Sequence, residues 1–310
     1  MGPSSRPARA SLLASAPPLI STRELTIRFG GHVAVDHVSL DVAPATLKSI
    51  IGPNGAGKTT FFNLLSGQYR PSEGRIAFKG EDITGLSAAR RTQLGIGRSF
   101  QLTNIFPTLS VLENVRLAAQ ARQGLGLNAW RNYRSFPELE DRAYELLETV
   151  LLEAKWRAPA GDLAHGEKRK LELGILLALE PEVLLLDEPT AGMSLEEVPT
   201  IIGLIDRIRN RRDKTILLVE HKIDMVMALS DSIAVLKDGR LIADGPPEAI
   251  SADPEVQAAY FGGGASAPGA TDPPLTLPSP RSGERDLPSS LSPLGRGQGE
   301  GRDPGGPTGA

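Results

Sequence analysis

The chain has no cysteine, only four histidines, and no uninterrupted apolar run of the roughly 18 to 20 residues that would span a bilayer. Without cysteine there is no disulfide scaffold and no thiolate metal site, and a reducing compartment fits. The histidines are scattered, so no histidine metal cluster is expected. A formal charge of only −3 over 310 residues gives no whole-chain field that would select nucleic acid or an anionic membrane, although local basic patches stay open. The opening MGPSSRPARASLLASAPPLI has a weak apolar patch broken by Pro17 and Pro18 and does not read as a secretory signal. Residues 1–17 are expected to be a disordered leader, or the product of a start codon placed too early.

At 40% hydrophobic and 23% charged residues, the chain can bury a substantial core, and one elaborated domain with tails is expected. From Gly262 onward, Gly, Pro and Ser dominate and large apolar residues nearly vanish. Such a stretch cannot bury enough surface to offset its ordering entropy, so 263–310 is expected to be a disordered tail and 18–262 the folded domain. Within that domain ELTIRF, HVSLDV, TLKSIIG, EVLLLDE, TILLVE and SIAVLKDGRLIADG have strand character. KTTFFNLLSGQ, SVLENVRLAAQA, DRAYELLETVLLEA, EKRKLELGILLALE, EEVPTIIGLIDRIRN and HKIDMVMALS have helical periodicity. The fold class is therefore α/β, an open sheet with a helical block, at about 102–180, inserted between early and late strands.

The early strand feeds GPNGAGKTT, comprising Gly52, Pro53, Asn54, Gly55, Ala56, Gly57, Lys58, Thr59 and Thr60. Strand, glycine-rich turn and helix is the setting a phosphate-binding loop requires. The glycines let backbone N–H groups turn toward phosphate oxygens, and the helix N-terminus adds partial positive charge. Lys58 would reach the β and γ phosphates of a nucleotide, Thr59 would place its hydroxyl on Mg²⁺, and Thr60 would help cradle the nearer phosphate. VLLLDE ends an apolar strand in Asp187 and Glu188, at the sheet edge where ligands of open α/β sheets bind. Asp187 suits coordination of Mg²⁺ through water, and Glu188 suits the general base for an attacking water.

GDLAHGEKRKLELG, Gly161 to Gly174, is on its own a turn followed by an amphipathic helix. Its place in the chain changes that. The ordered set GPNGAGKTT, SFQ, LAHGE, LLLDEPTAGMS and VEH resembles the ATP-binding subunit of an ABC transporter, over about Leu19 to Gly262. The resemblance implies a P-loop NTPase core with an antiparallel β subdomain and an inserted α-helical subdomain. It implies an Mg²⁺-dependent ATPase coupled to transmembrane transport, with ATP and Mg²⁺ as cofactors.

By the same resemblance Phe29 matches the aromatic that stacks on adenine, Gln101 the glutamine that touches Mg²⁺ and the water, and His221 the switch histidine at the γ-phosphate. Asp187 and Glu188 match the Mg²⁺ aspartate and the catalytic glutamate. Ala191, Gly192, Met193 and Ser194 match the loop that crosses a dimer interface. Leu163, Ala164, His165, Gly166 and Glu167 stand where the family places the signature that closes over the partner's ATP. Here Ala164, His165 and Glu167 depart from the LSGGQ pattern. Gly166 is retained, and Glu167 is unfavourable near phosphate unless it faces Lys168 or Arg169 or points away.

The expected partners are a second ATP-binding subunit, two membrane permease subunits and, indirectly, a solute-binding protein, with no nucleic acid. The expected location is peripheral, on the cytoplasmic face of the membrane. AHGEKRKLELGILLALEPEVLLLDEPTAGMS with RSFQLTNIFPTLSVLENV and QAAYFG resembles subunits of importers for branched-chain or other hydrophobic amino acids. A urea or amide importer, a lipopolysaccharide-type exporter and a soluble ABC ATPase stay open on sequence. Leu102, Ile105 and Phe106 are candidates for the surface that meets the membrane subunits.

Overall fold

Strand placement follows from where apolar residues repeat. The computed structural model describes residues 17–99, 105–123 and 137–261. Most of the expected leader, the tail, Gln101 and Leu102 lie outside these residues. Strands β1 (Ile20–Phe29) and β2 (His32–Val42) form a hairpin around Gly30 and Gly31, and Gly30 takes the positive φ of 59° that the tight turn needs. With β4 (Glu73–Phe78) and β5 (Glu81–Asp82) they make a four-stranded antiparallel sheet in the order β2-β1-β4-β5.

The second sheet contains β3 (Leu47–Ile51), β6 (Ile96–Arg98), β7 (Val183–Asp187), β8 (Thr215–Val219), β9 (Ser232–Lys237) and β10 (Arg240–Gly245). Their order is β10-β9-β3-β8-β7-β6, parallel except for the β10 edge. LKSII, VLLLD and TILLV are buried at every position, as strands covered on both faces must be.

Alternation along those strands divides the core in two. Leu185, Leu217 and Val219 face a cluster with Leu25, Ile27, Val35, Phe61 and Phe62, which joins helix α1 (Lys58–Ser66) to the antiparallel sheet. Leu184, Leu186, Ile216 and Leu218 face the other way, toward α3 (Val111–Arg122), α4 (Pro137–Thr149), α5 (His165–Ala178) and α6 (Val198–Asn210). A smaller cluster around Val226, Ile233 and Ile250 seats α7 (Ile223–Leu229), α8 (Pro247–Ala252) and α9 (Pro254–Phe261).

Two elements, α2 (Ala88–Leu94) and β6, were not visible in the hydrophobic pattern because each is short. Helix α2 is fixed instead by polar contacts. Ser87 caps its start by accepting the Arg90 N–H, and fully buried Arg91 donates to the Leu64 and Leu65 carbonyls at the end of α1. Burial brings the Arg91 pKa down to about 10. Of the candidate coupling residues, Ile105 packs on the helical cluster, whereas Phe106 is 58% exposed. No helix among the described residues is long and apolar enough to cross a membrane.

Candidate functional site

The loop after β3 is shaped by backbone crowding. A Cβ on Gly52 would stand 2.1 Å from the Leu236 carbonyl oxygen, and one on Gly57 2.4 Å from that of Ala34. Both positions also have positive φ, 157° at Gly52 and 93° at Gly57, and the second lies well inside the region side chains avoid. Gly55 faces open space. Gly57 offers no side-chain cap to α1, so the first-turn N–H groups of Lys58, Thr59 and Thr60 are left for an anion.

Lys58 is buried and folds back onto its own loop, donating to the Gly52 carbonyl at 2.7 Å and the Pro53 carbonyl at 2.9 Å. Burial lowers its pKa, and the nearby Glu188 and Asp187 carboxylates partly restore it. The loop is thus a ring of donors waiting for an acceptor, with its cation held by carbonyls that an anion can outcompete.

Asp187 ends β7 at 2% exposure. Its Oδ2 accepts from Arg98 Nη2 at 2.9 Å, while Oδ1 is buried without a partner. Burial raises the Asp187 pKa, against the pull of the Arg98 guanidinium. An orphaned carboxylate oxygen beside a phosphate loop is the feature a hydrated divalent cation fits. Glu188 takes a left-handed backbone, φ 48°, fixed by its N–H donating to the Val219 carbonyl at 2.9 Å. Its Oε1 lies 2.8 Å from His221 Nε2, within hydrogen-bond reach.

Phe29 is 46% exposed and meets Tyr69 edge to face, ring centroids 5.4 Å apart, so one face is free to stack. At the start of α5, Leu163 and Gly166 are buried while Ala164 and His165 are exposed. Glu167 pairs with Lys155 at 2.7 Å and accepts the Ala164 N–H at 3.1 Å, so its partner is neither of the residues expected. Burial opposes its charge, yet Lys155 and the Ala164 N–H bring its pKa below the ordinary value.

The exposed loop with Ala191, Gly192, Met193 and Ser194 lies against the same helix start. A Cβ on Gly192 would be 3.4 Å from the His165 ring, and one on Gly166 would meet Glu197 Oε1 and the Met193 methyl. Glu197 accepts from the Ser194 N–H and hydroxyl and from the Gly166 N–H, and these contacts lower its pKa. Among the described residues no hydrogen bond or ion pair joins 163–167 to the phosphate loop, Glu188 or His221. Arg98, Glu197 and Glu220 are site residues that sequence reasoning missed. The partners of each are fixed only by folding.

Phosphate loop, acidic strand end and facing histidine on an open parallel sheet define a P-loop nucleotide-binding protein. A model of the ABC transporter family matches residues 35–191, and one described as the branched-chain amino acid ATP-binding cassette transporter matches 240–266. The high-affinity branched-chain amino acid transport ATP-binding protein LivG of Escherichia coli K12 is 40% identical, with 79% of this chain and 98% of that protein covered. BraF of Pseudomonas aeruginosa, of the same description, is also 40% identical over 79% and 98%. The solved ADP conformation of an ATP-binding cassette of an ABC transporter is 28% identical, TM-score 0.69, covering 80% of this chain and 100% of that one. A dimeric cassette in a post-hydrolysis state with ADP and phosphate is 25% identical, TM-score 0.62, covering 74% and 98%. The chain belongs to the ABC transporter family and has the fold of its ATP-binding cassettes.

Proposed function

We propose that this chain is the ATP-hydrolysing subunit of an importer for branched-chain or other hydrophobic amino acids. One observation carries the catalytic part: Lys58, Asp187, Glu188 and His221, from three separate segments, meet at the C-terminal edge of the parallel sheet, and the last two are already in contact at 2.8 Å. The importer part rests on the relatives' descriptions and on the match at 240–266, a segment outside the 35–191 match to the general family.

In this reading ATP enters with its phosphates on the N–H groups of Gly55 to Thr60 and its adenine on Phe29. Lys58 leaves the Gly52 and Pro53 carbonyls for the β and γ phosphate oxygens. Thr59, Gln101 and Asp187 would hold Mg²⁺, which when bound supplies positive charge at the oxygens of the transferred phosphoryl group. Glu188 orients and deprotonates the attacking water, while His221 steadies Glu188 and faces the γ-phosphate. Bond cleavage at the γ-phosphorus releases ADP, and the proton taken by Glu188 leaves with phosphate or solvent.

Leu163 to Glu167 and Ala191 to Ser194 are surfaces for a second ATP-binding subunit, self or paralogue, arranged head to tail. The solved dimeric cassette in a post-hydrolysis state supports a dimer of such subunits. Two membrane permease subunits, reached in part through exposed Phe106, hold the chain on the cytoplasmic side of the membrane and, with an external solute-binding protein, choose the solute.

Lys58→Ala is expected to lose ATP binding. Glu188→Gln is expected to bind ATP and accumulate as a closed dimer with hydrolysis reduced about 10²-fold or more. Wild-type turnover in Glu188→Gln removes the general-base assignment. Uptake of labelled leucine by vesicles holding the cognate permeases and binding protein tests the solute.

A further inference from the structure

Glu220 is a buried carboxylate, 3% exposed, that the catalytic scheme leaves without a task. Among the described residues its side chain forms no ion pair, and its three hydrogen bonds come from Thr190, two residues after Glu188, and from the backbone of His221. Oε1 accepts the Thr190 N–H at 3.1 Å and the Thr190 hydroxyl at 2.6 Å, and Oε2 accepts the His221 N–H at 3.1 Å. The β7–β8 ladder ends at Asp187 opposite Val219, with one more bond from the Glu188 N–H to the Val219 carbonyl. Beyond that point the Glu220 side chain takes over as the link between the two loops. The Glu188–His221 contact then closes a ring through Pro189, Thr190, Glu220 and His221.

We propose that Glu220 is a positioning residue that ties the loop carrying Glu188 to the backbone of His221, so that the two catalytic side chains address the terminal phosphate as one unit. The inference rests on the roles given above to Glu188 and His221. Chemistry explains why the residue is a carboxylate. Both backbone groups it meets are obligate donors, and an ionised carboxylate is an acceptor at both oxygens. An amide in its place keeps Thr190 only by turning its NH₂ toward the His221 N–H, which detaches the histidine backbone while leaving volume unchanged.

The test uses the full chain, with steady-state ATP hydrolysis, equilibrium ATP binding and thermal midpoint measured on each variant. Glu220→Gln and Thr190→Val are expected to lower kcat about tenfold or more while the Kd for ATP stays within about twofold, and Thr190→Ser, which keeps the hydroxyl, to retain most of the rate. The deciding measurement is epistasis. In a His221→Ala background, Glu220→Gln is expected to change the residual rate by less than about twofold, because the Glu188–His221 unit that it aligns has already lost its imidazole.

An undiminished tenfold loss in that background overturns the positioning role and leaves the His221 assignment standing. Wild-type turnover in His221→Ala alone overturns that assignment and this inference with it. ATP affinity or thermal midpoint falling in step with kcat also overturns it, since that marks general loosening of the fold. Should Glu220→Gln fail to fold, the Thr190 pair decides: equal rates for the Val and Ser variants refute the tie.

Discussion

Arg98 offers the sharpest energetic test of how the acidic strand end is held. Its side chain is 8% exposed and that of Asp187 fully buried, with Nη2 2.9 Å from Oδ2. The same guanidinium donates to Asn63 and Ser66 on α1 and lies over the Phe62 ring. Arg98→Met keeps the apolar stem but leaves Asp187 buried without its cation, and breaking such a pair costs about 3–5 kcal/mol. In a domain of this size that corresponds to a fall in Tm of roughly 6–20 °C.

The pH sign follows from Asp187. Its folded pKa already stands above 3.8, chiefly from burial, so the native state retains a proton that the unfolded chain gives up and stability falls as pH rises above that value. Removing Arg98 raises the pKa further, which widens the penalty at neutral pH and narrows it on acidification toward the ordinary aspartate range. Denaturant titrations at pH 7.5 and pH 5, with a chelator present, should therefore show a smaller gap between variant and wild type at the lower pH. In an Asp187→Asn background most of the cost of Arg98→Met should vanish. An equal cost with and without the Asp187 charge would refute the pairing argument.

Two glycines separate backbone crowding from side-chain crowding. Gly57→Ala drives a Cβ to 2.4 Å from the Ala34 carbonyl at a φ of 93°, neither of which can relax locally, so a loss of about 2–4 kcal/mol and of ATP binding is expected in denaturation and binding assays. Gly166→Ala makes an equally short contact, 2.4 Å, but with the far end of the Glu197 side chain, which can rotate away from Gly166 while keeping Ser194, so its loss should stay below about 1 kcal/mol. Comparable destabilisation by both would show that Glu197 is rigidly fixed over α5.

The strands, most helices and the phosphate loop were legible because each is written in consecutive residues. Short apolar runs such as VLLLD and TILLV, bounded by charged or turn residues, fit strands covered on both faces, and GPNGAGKTT carries its turn, helix start and cation together. Helix α2 and β6 were not legible, since seven and three residues carry too little periodicity and Arg91 acts through carbonyls on another helix. The partner of Glu167 was not legible for a related reason. Lys168 and Arg169 follow it in sequence, whereas Lys155, from a preceding turn, takes the pairing.

The order of the sheet explains why the missed residues sit where they do. Strand β7 lies between β6 and β8, so the chain leaving it is flanked by the ends of both neighbours. Asp187 is held by Arg98 from the β6 side, and Glu188 and Thr190 are held by His221 and Glu220 from the β8 side. The two chemical tasks of the strand end are thereby anchored to different neighbours. A perturbation on the β6 side should register in Asp187 and leave Glu188 and His221 in contact; one on the β8 side should do the reverse. Arg98→Met should therefore cost the same stability in the wild type and in Glu220→Gln, within about 0.5 kcal/mol. Strong coupling between them would mean that the strand end moves as a single piece.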